Sequence, residues 1–238
     1  MGWIAERFPH LVREIHARGH EVASHGINHH LCNKLAKKDL KNDLADSKKF
    51  LEDIIGHQVY GFRAPSFAIT HDILKAIQDY GYLYDSSYNS FSLHGRYGQM
   101  SFSQNKKKGI AIGIPKIQHP ASSTQYPAPR TFYELPISNF KFGNVSFPFG
   151  GGAYFRLIPF ILLKTGIKKI LDKDNTYLFY LHPWEIDPDQ PKVKDACLTF
   201  KFRHYVNLKK TYSKLSKMIE NFQHCQFVTC TQYLNSQI

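Results

Sequence analysis

Ala23-Ser24-His25-Gly26-Ile27-Asn28-His29-His30 sets two imidazoles, His25 and His29, four residues apart around a glycine. Neutral imidazole is a common zinc ligand. Residues at i and i+4 can face one point on a single helical turn, or where a strand gives way to a helix. Spacing alone does not separate a ligand pair from a solvated surface pair, because the chain holds 13 histidines in 238 residues. The flanking sequence has to decide.

Upstream, Trp3, Ile4, Phe8, Leu11, Val12 and Ile15 recur at helical steps, predicting a helix over residues 3–18 that Gly19 ends. Residues 20–24 read as a short strand, so His25 sits at its C-terminal end and Gly26 where the chain turns. Downstream, Leu35, Leu40, Leu44, Leu51, Ile54 and Ile55 share one helical face, with Gly56 as the stop. A strand is then expected at 59–63, a turn at Pro65, a helix from the N-cap Thr70 to Tyr80 with Gly81 closing it, and a strand at 82–85. Strands alternating with helices imply a parallel α/β sheet, open or closed into a barrel, whose working loops lie at the C-terminal ends of the strands.

The rhythm lapses over residues 89–130 into Ser, Gly, Lys, Gln and Pro, with short strands expected at 110–114 and 132–137. Gly150-Gly151-Gly152 precedes an aromatic helix starting near Tyr154. Without Gly-Lys-Ser/Thr or G-x-G-x-x-G spacing, it reads as a turn permitting close backbone packing rather than a phosphate cradle. A strand at 175–181 runs into His182-Pro183-Trp184-Glu185, Asn207 caps a basic helix to about Phe222, and residues 225–229 read as a last strand. No internal repeat stands out.

At 42% hydrophobic residues the chain can bury a substantial core, and one domain is expected. The longest apolar stretch, 154–167, is broken by Arg156, Pro159, Lys164 and Gly166, so no membrane span is expected. The first residues are charged where an export signal would be apolar. The four cysteines show no C-x-x-C spacing and suit reduced thiols, so a cytoplasmic location is expected. The net charge of +12 suits an anionic partner, but the basic residues fall in amphipathic patterns and read equally as solvated helix faces. No nucleic-acid partner is expected, since no helix-turn-helix, RRM or KH signature is present.

Arg63, Asp85 and His182 each follow an apolar run, and in a parallel α/β fold they would converge with His25 on one rim. Singly, each has a structural reading: a surface ion pair, a turn cap, a strand end before Pro183. Together with the histidine pair they resemble the polysaccharide deacetylases of the NodB-like type, carbohydrate esterase family 4. Ser24-His25-Gly26-Ile27-Asn28-His29 resembles that family's metal-binding histidine motif, and Arg63-Ala64-Pro65-Ser66-Phe67 its arginine-proline motif. Tyr84-Asp85-Ser86-Ser87 resembles the aspartate-serine motif, and Tyr180-Leu181-His182 the terminal catalytic histidine motif. Residues 150–156, 182–188 and 202–207 resemble the subgroup associated with exopolysaccharide biosynthesis and exosortase systems.

The resemblance implies a distorted (β/α)7-type barrel over residues 1–238. Its core would span 1–188, with an inserted loop region at about 89–130, and a family-specific extension would cover 189–238. It implies metal-dependent removal of N-acetyl groups from N-acetylhexosamine units of a bacterial surface or exported polysaccharide. His25 and His29 would hold zinc or another divalent metal, His182 would be the general acid, Asp85 would orient its ring, and Arg63 would position the base through an ion pair. Pro65, Phe67, Tyr154 and Trp184 would contact substrate, although each aromatic reads equally as packing.

The family also has an aspartate motif on its first strand that supplies the general base and a third metal ligand. The 24 residues before His25 contain no aspartate, and Glu6, Glu14 and Glu21 do not resemble the motif. The chain is therefore expected to lack the barrel's first one or two strands, leaving an edge open to self-association. A truncated start is the favoured explanation. The alternatives are a glycan-binding remnant without activity, or recruitment of Asp85 or Glu185 as the third ligand.

Overall fold

The computed structural model describes residues 1–91, 100, 112–115, 131–143 and 145–236. Most of the expected loop region, with residues 110 and 111 of an expected strand, lies outside the described residues.

The chain, expected as one domain, divides into two compact units: Met1–Pro136 with Val228–Ile238, and Ile137–Phe227. The first unit opens with α1 (Gly2–Arg7) and α2 (Pro9–Ala17) in place of one helix over 3–18. Pro9 has no N–H to continue the ladder, so it takes the first position of a new helix. Next comes α3 (Lys37–Ile55), ended by Gly56 in the left-handed conformation at φ 70°. β1 (Gly61–Phe62), α4 (His71–Asp79) and β2 (Tyr84–Asp85) follow. Thr70 caps α4 as expected, its hydroxyl accepting from the Ile73 N–H at 3.3 Å.

β3 (Ile112–Pro115) and β4 (Thr131–Glu134) complete a sheet of order β1-β2-β4-β3, in which β1, β2 and β4 run parallel and β3 is antiparallel. The segment at 20–24 forms no strand of its own; Ser24 alone joins the sheet, through a parallel bridge to Phe62. The ladder still runs unbroken across the rim. Arg63 N–H donates to Ser24 O at 3.0 Å, Ser86 N–H to Phe62 O at 2.9 Å, and Leu135 N–H to Asp85 O at 2.8 Å. Successive strand ends therefore present His25, Arg63, Asp85 and Glu134 along one edge. Gly61 makes the close pairing possible, because a Cβ there would run into the Tyr84 ring.

Leu44, Leu51, Phe62, Ile73, Ile77, Tyr82 and Phe132 form the core that holds this sheet to its helices. Each large apolar side chain removed from water contributes on the order of 1.5–3 kcal/mol. The C-terminal α9 (Cys230–Asn235) also belongs to this unit. Residues 225–229, expected as a strand, form none. Thr229 instead caps α9 in a reciprocal box with Gln232. Glu21 ties α9 down: its carboxylate accepts from Tyr84 Oη at 2.8 Å, Thr231 Oγ1 at 2.5 Å and Thr231 N at 3.0 Å.

The second unit contains the hairpin β5 (Phe140–Phe142) and β6 (Val145–Phe147), then α5 (Gly152–Leu157), α6 (Phe160–Asp174), α7 (Leu198–Tyr205) and α8 (Leu208–Asn221). Phe155, Leu163, Ile167, Met218 and Phe222 are its core. The expected strand over 175–181 reduces to one parallel bridge, Tyr180 with Gly151. The glycine triplet is a close-packing turn: Gly151 holds φ 134°, and a Cβ on it would meet the Tyr180 carbonyl oxygen. Asn207 does not cap α8 through its side chain; its Nδ2 donates instead to the Arg156 carbonyl at 3.0 Å.

Candidate functional site

In the first unit, Gly26 at φ 70° turns the chain directly after the Ser24 bridge, and the turn is fixed by Ile27 N–H donating to Asp43 Oδ1 at 2.9 Å. His25 Nδ1 lies 2.5 Å from the Arg63 carbonyl oxygen. A carbonyl only accepts, so the proton of the ring is on Nδ1 and the lone pair on Nε2. Burial pushes the His25 pKa down to about 4, against the opposing bond to Arg63, and the ring is neutral at pH 7. A neutral ring with Nδ1 held by a carbonyl is the state in which histidine ligates a metal through Nε2. The His29 ring lies 5.0 Å from that of His25 at 70°, on a backbone at φ 58° that non-glycine residues rarely adopt. His30 is exposed.

The two imidazoles stand side by side, as a pair of metal ligands would have to. Catalytic zinc takes three protein ligands, and among the described residues no group of three or more His, Cys, Asp and Glu side chains is arranged for a metal. Asp85 and Glu185 do not complete the set. Asp85 is fully buried, with Oδ1 accepting from Ser87 Oγ at 2.8 Å and Oδ2 from Ser87 N at 2.9 Å. Both Glu185 oxygens are engaged in the second unit.

Arg63, expected to make an ion pair, uses its guanidinium on Ser86: Nε donates to the carbonyl and Nη2 to Oγ, both at 2.7 Å. The carboxyl that Asp85 meets is Glu134, also 0% exposed. Glu134 Oε1 accepts from Tyr88 N at 2.8 Å and Ser87 N at 3.1 Å, while Oε2 has no partner other than Asp85. Burial and the charge of Asp85 raise the Glu134 pKa well above the ordinary range. Burial raises Asp85 to about 6, with Glu134 and Ser87 opposing. Both shifts favour one proton held by the pair, on Glu134. Nothing in the sequence marked Glu134 beyond an acid inside the apolar run Phe132-Tyr133-Glu134-Leu135.

Pro65 and Phe67 lie in a 3-10 turn, and Ser66 and Phe67 both adopt positive φ, at 53° and 57°. Such consecutive strain marks a segment over-determined by its surroundings. Phe67 is 8% exposed, which leaves little face for a sugar.

His182, Tyr154 and Trp184 belong to the second unit. The backbone N–H of His182 and its Nδ1 both lie 2.9 Å from Glu185 Oε2. Glu185 Oε1 pairs with Arg156 Nε at 3.0 Å, both side chains buried. Burial pushes the Glu185 carboxyl up, but the His182 bonds and the His182 and Arg156 charges outweigh it and hold it below its ordinary value. The rest of the Arg156 guanidinium donates to the carbonyls of His204 at 2.7 Å, Val206 at 2.9 Å and Arg203 at 3.0 Å, clamping the end of α7. Trp184 stacks on His204 at 4.0 Å and 12° and also lies against His182 and Arg156. Glu185 stood in the sequence beside His182, but neither its bond to the ring nor the clamp on Arg156 was visible there.

Comparison with known proteins matches residues 1–84 to the polysaccharide deacetylase family and residues 86–235 to a domain of unknown function, DUF3473. A peptidoglycan-N-acetylglucosamine deacetylase of Bacillus cereus is 32% identical over 82 residues, covering 34% of this chain and 38% of that protein. The peptidoglycan deacetylase-like protein FGM2 of Gibberella zeae is 34% identical over 86 residues, covering 36% of this chain and 25% of that protein. The chain thus spans well under half the length of either relative. Among solved structures, Puue allantoinase superposes at TM-score 0.56 with 14% identity, covering 96% of this chain and 62% of that one. A structure assigned as a polysaccharide deacetylase from Mycobacterium smegmatis gives 0.53 at 16% identity, covering 91% and 63%. These likenesses show the fold, an α/β barrel-like fold of the NodB type. The DUF3473 model spans most of the chain, so the chain belongs to the DUF3473 family, and its first 84 residues are similar to the polysaccharide deacetylases.

Proposed function

We propose that this chain hydrolyses the N-acetyl group of N-acetylhexosamine units in a bacterial surface or exported polysaccharide. The observation that carries the reading is His25: its Nδ1 is committed to the Arg63 carbonyl, and its ring is neutral beside His29. Those two rings would hold a divalent metal such as zinc. What the metal supplies when bound is Lewis acidity toward the amide carbonyl and a water.

In the net reaction water adds to the acetyl carbon, the C–N bond breaks with its electron pair going to nitrogen, and acetate leaves. His182 gives the departing amine its proton. Arg63, through Ser86, and the buried Asp85–Glu134 pair hold the strand-end rim on which His25 sits. Tyr154 and Trp184 are partly exposed and are the aromatic candidates for sugar contact. The resemblance of the motifs at 150–156 and 182–188 favours a substrate in exopolysaccharide biosynthesis.

A second reading, a glycan-binding protein without hydrolysis, is favoured by the two-ligand half-site. An acetate-release assay on N-acetylhexosamine oligomers, run with chelator and with zinc or cobalt restored, separates the two. Metal-dependent release supports hydrolysis. Calorimetric oligomer binding with no release at saturating metal supports the second reading.

A further inference from the structure

We propose that Glu185, anchored by Arg156, is the positioning residue of His182: it places the ring proton on Nδ1 and leaves Nε2 as the atom that gives up and recovers a proton. This deepens the deacetylase reading and rests on it for the role of His182.

The argument begins with what each atom can do. A carboxylate held below its ordinary pKa only accepts hydrogen bonds. Glu185 Oε2 accepts the His182 backbone N–H and faces Nδ1 at the same 2.9 Å. The neutral ring therefore carries its proton on Nδ1, the less favoured tautomer of a free histidine. Glu185 cannot turn away, because Oε1 is paired with Arg156 at 3.0 Å, and Arg156 is locked in turn by three backbone carbonyls.

The plane of the ring is set independently. Trp184 stacks on it at 5.6 Å and 24°, and Tyr180 meets it edge-on at 5.8 Å and 89°. The His182 side chain nonetheless stays 51% exposed, so it remains open to solvent. A buried anion on one nitrogen of a ring whose body stays accessible is the arrangement by which a carboxylate orients a histidine and stabilises its charged form in acid–base catalysis. When the imidazolium gives the Nε2 proton to the amine nitrogen, the ring is left neutral with Nδ1–H still donated to Glu185, and water restores the Nε2 proton. No reorientation is needed between turnovers.

A purely structural role for Glu185, as the closing residue of the 3-10 turn Pro183–Ile186, would fix the same tautomer but leave kcat unmoved, so the tautomer tests the geometry and kcat tests the role. Nitrogen-15 NMR of the full chain labelled at histidine, with His182 assigned by loss of its signal in His182→Gln, reads the tautomer directly. The wild-type spectrum at high pH is expected to show Nδ1–H. In Glu185→Gln the NH2 must face a donor on either side, Arg156 Nε or the His182 backbone N–H, so the anion that held the Nδ1 proton is lost and the tautomer population should shift toward Nε2–H. The same variant should lower kcat of acetate release by about 100-fold with KM unchanged.

A wild-type ring carrying its proton on Nε2 overturns the inference, whether or not the variant folds. That result with acetate release intact leaves the deacetylase reading standing. An Nδ1–H ring in a chain that releases no acetate sinks the deacetylase reading and keeps the geometry.

Discussion

Replacing Glu134 by Gln should make the protein more stable at alkaline pH while leaving it nearly unchanged in acid. Glu134 and Asp85 are both fully buried and share one proton, and burial raises both pKa values. An acid whose folded-state pKa is raised binds its proton more tightly in the fold than in the unfolded chain. Its contribution is complete below the unfolded value and is lost as pH rises through the folded one. For Asp85 the rise from 3.8 to about 6 corresponds to about 3 kcal/mol, at about 1.4 kcal/mol per tenfold in proton affinity. Glu134 adds a further loss at higher pH, because its own proton must leave beside the Asp85 charge. A glutamine keeps the acceptor for Ser87 N and Tyr88 N, and its amide donates to Asp85 in place of the shared proton. Wild-type stability, measured as urea midpoints from pH 4 to 9, should fall through this window. The variant keeps the Asp85 loss but not that of Glu134, so it should fall less and the gap should widen as pH rises. Parallel curves would refute the shared proton, since they would mean that Glu134 ionises as readily folded as unfolded.

Glu21→Gln should cost about 1–3 kcal/mol, because it weakens three bonds that tie Tyr84 and α9 together, and proteolysis near residue 230 should quicken. Gly61→Ala drives a methyl group into the Tyr84 ring across β1 and β2, and overpacking there should cost about 1–3 kcal/mol in chemical denaturation. His25→Gln and His29→Gln should each abolish zinc binding by calorimetry; full stoichiometric binding by both variants would remove the pair from the metal site.

Local signals carried well wherever one residue type has one physical use. Gly56 in the left-handed conformation and Thr70 on the Ile73 N–H stand where the reading of their stretches put them, since a helix end asks for a positive φ or an acceptor regardless of what packs around it. Pro9 and the Thr229–Gln232 box were equally local, and the periodicity of the flanking apolar residues masked them. Ladder length was not legible. The segments at 20–24 and 175–181, expected as strands, each make a single bridge, because residue types do not show which backbone offers its carbonyls.

The chemistry divides along the same line. Arg63 and Asp85 could be placed from the ends of apolar runs and His25 from the end of an expected short strand, because a parallel sheet delivers all its strand ends to one edge. The partners that set their protonation could not. Glu134 lies far along the chain from Asp85, and a carboxyl in an apolar run becomes a proton carrier only when a second carboxyl is buried against it. Arg156 likewise reads as one more cation in a chain of net charge +12. Once buried, a guanidinium needs a counterion and carbonyls for its donors, so its presence in a core implies a matched acid. That acid is Glu185, whose second oxygen then belongs to His182. The requirement could be deduced from an arginine beside a helical aromatic cluster, but its answer needs the fold, because only folding decides which charges lose their water.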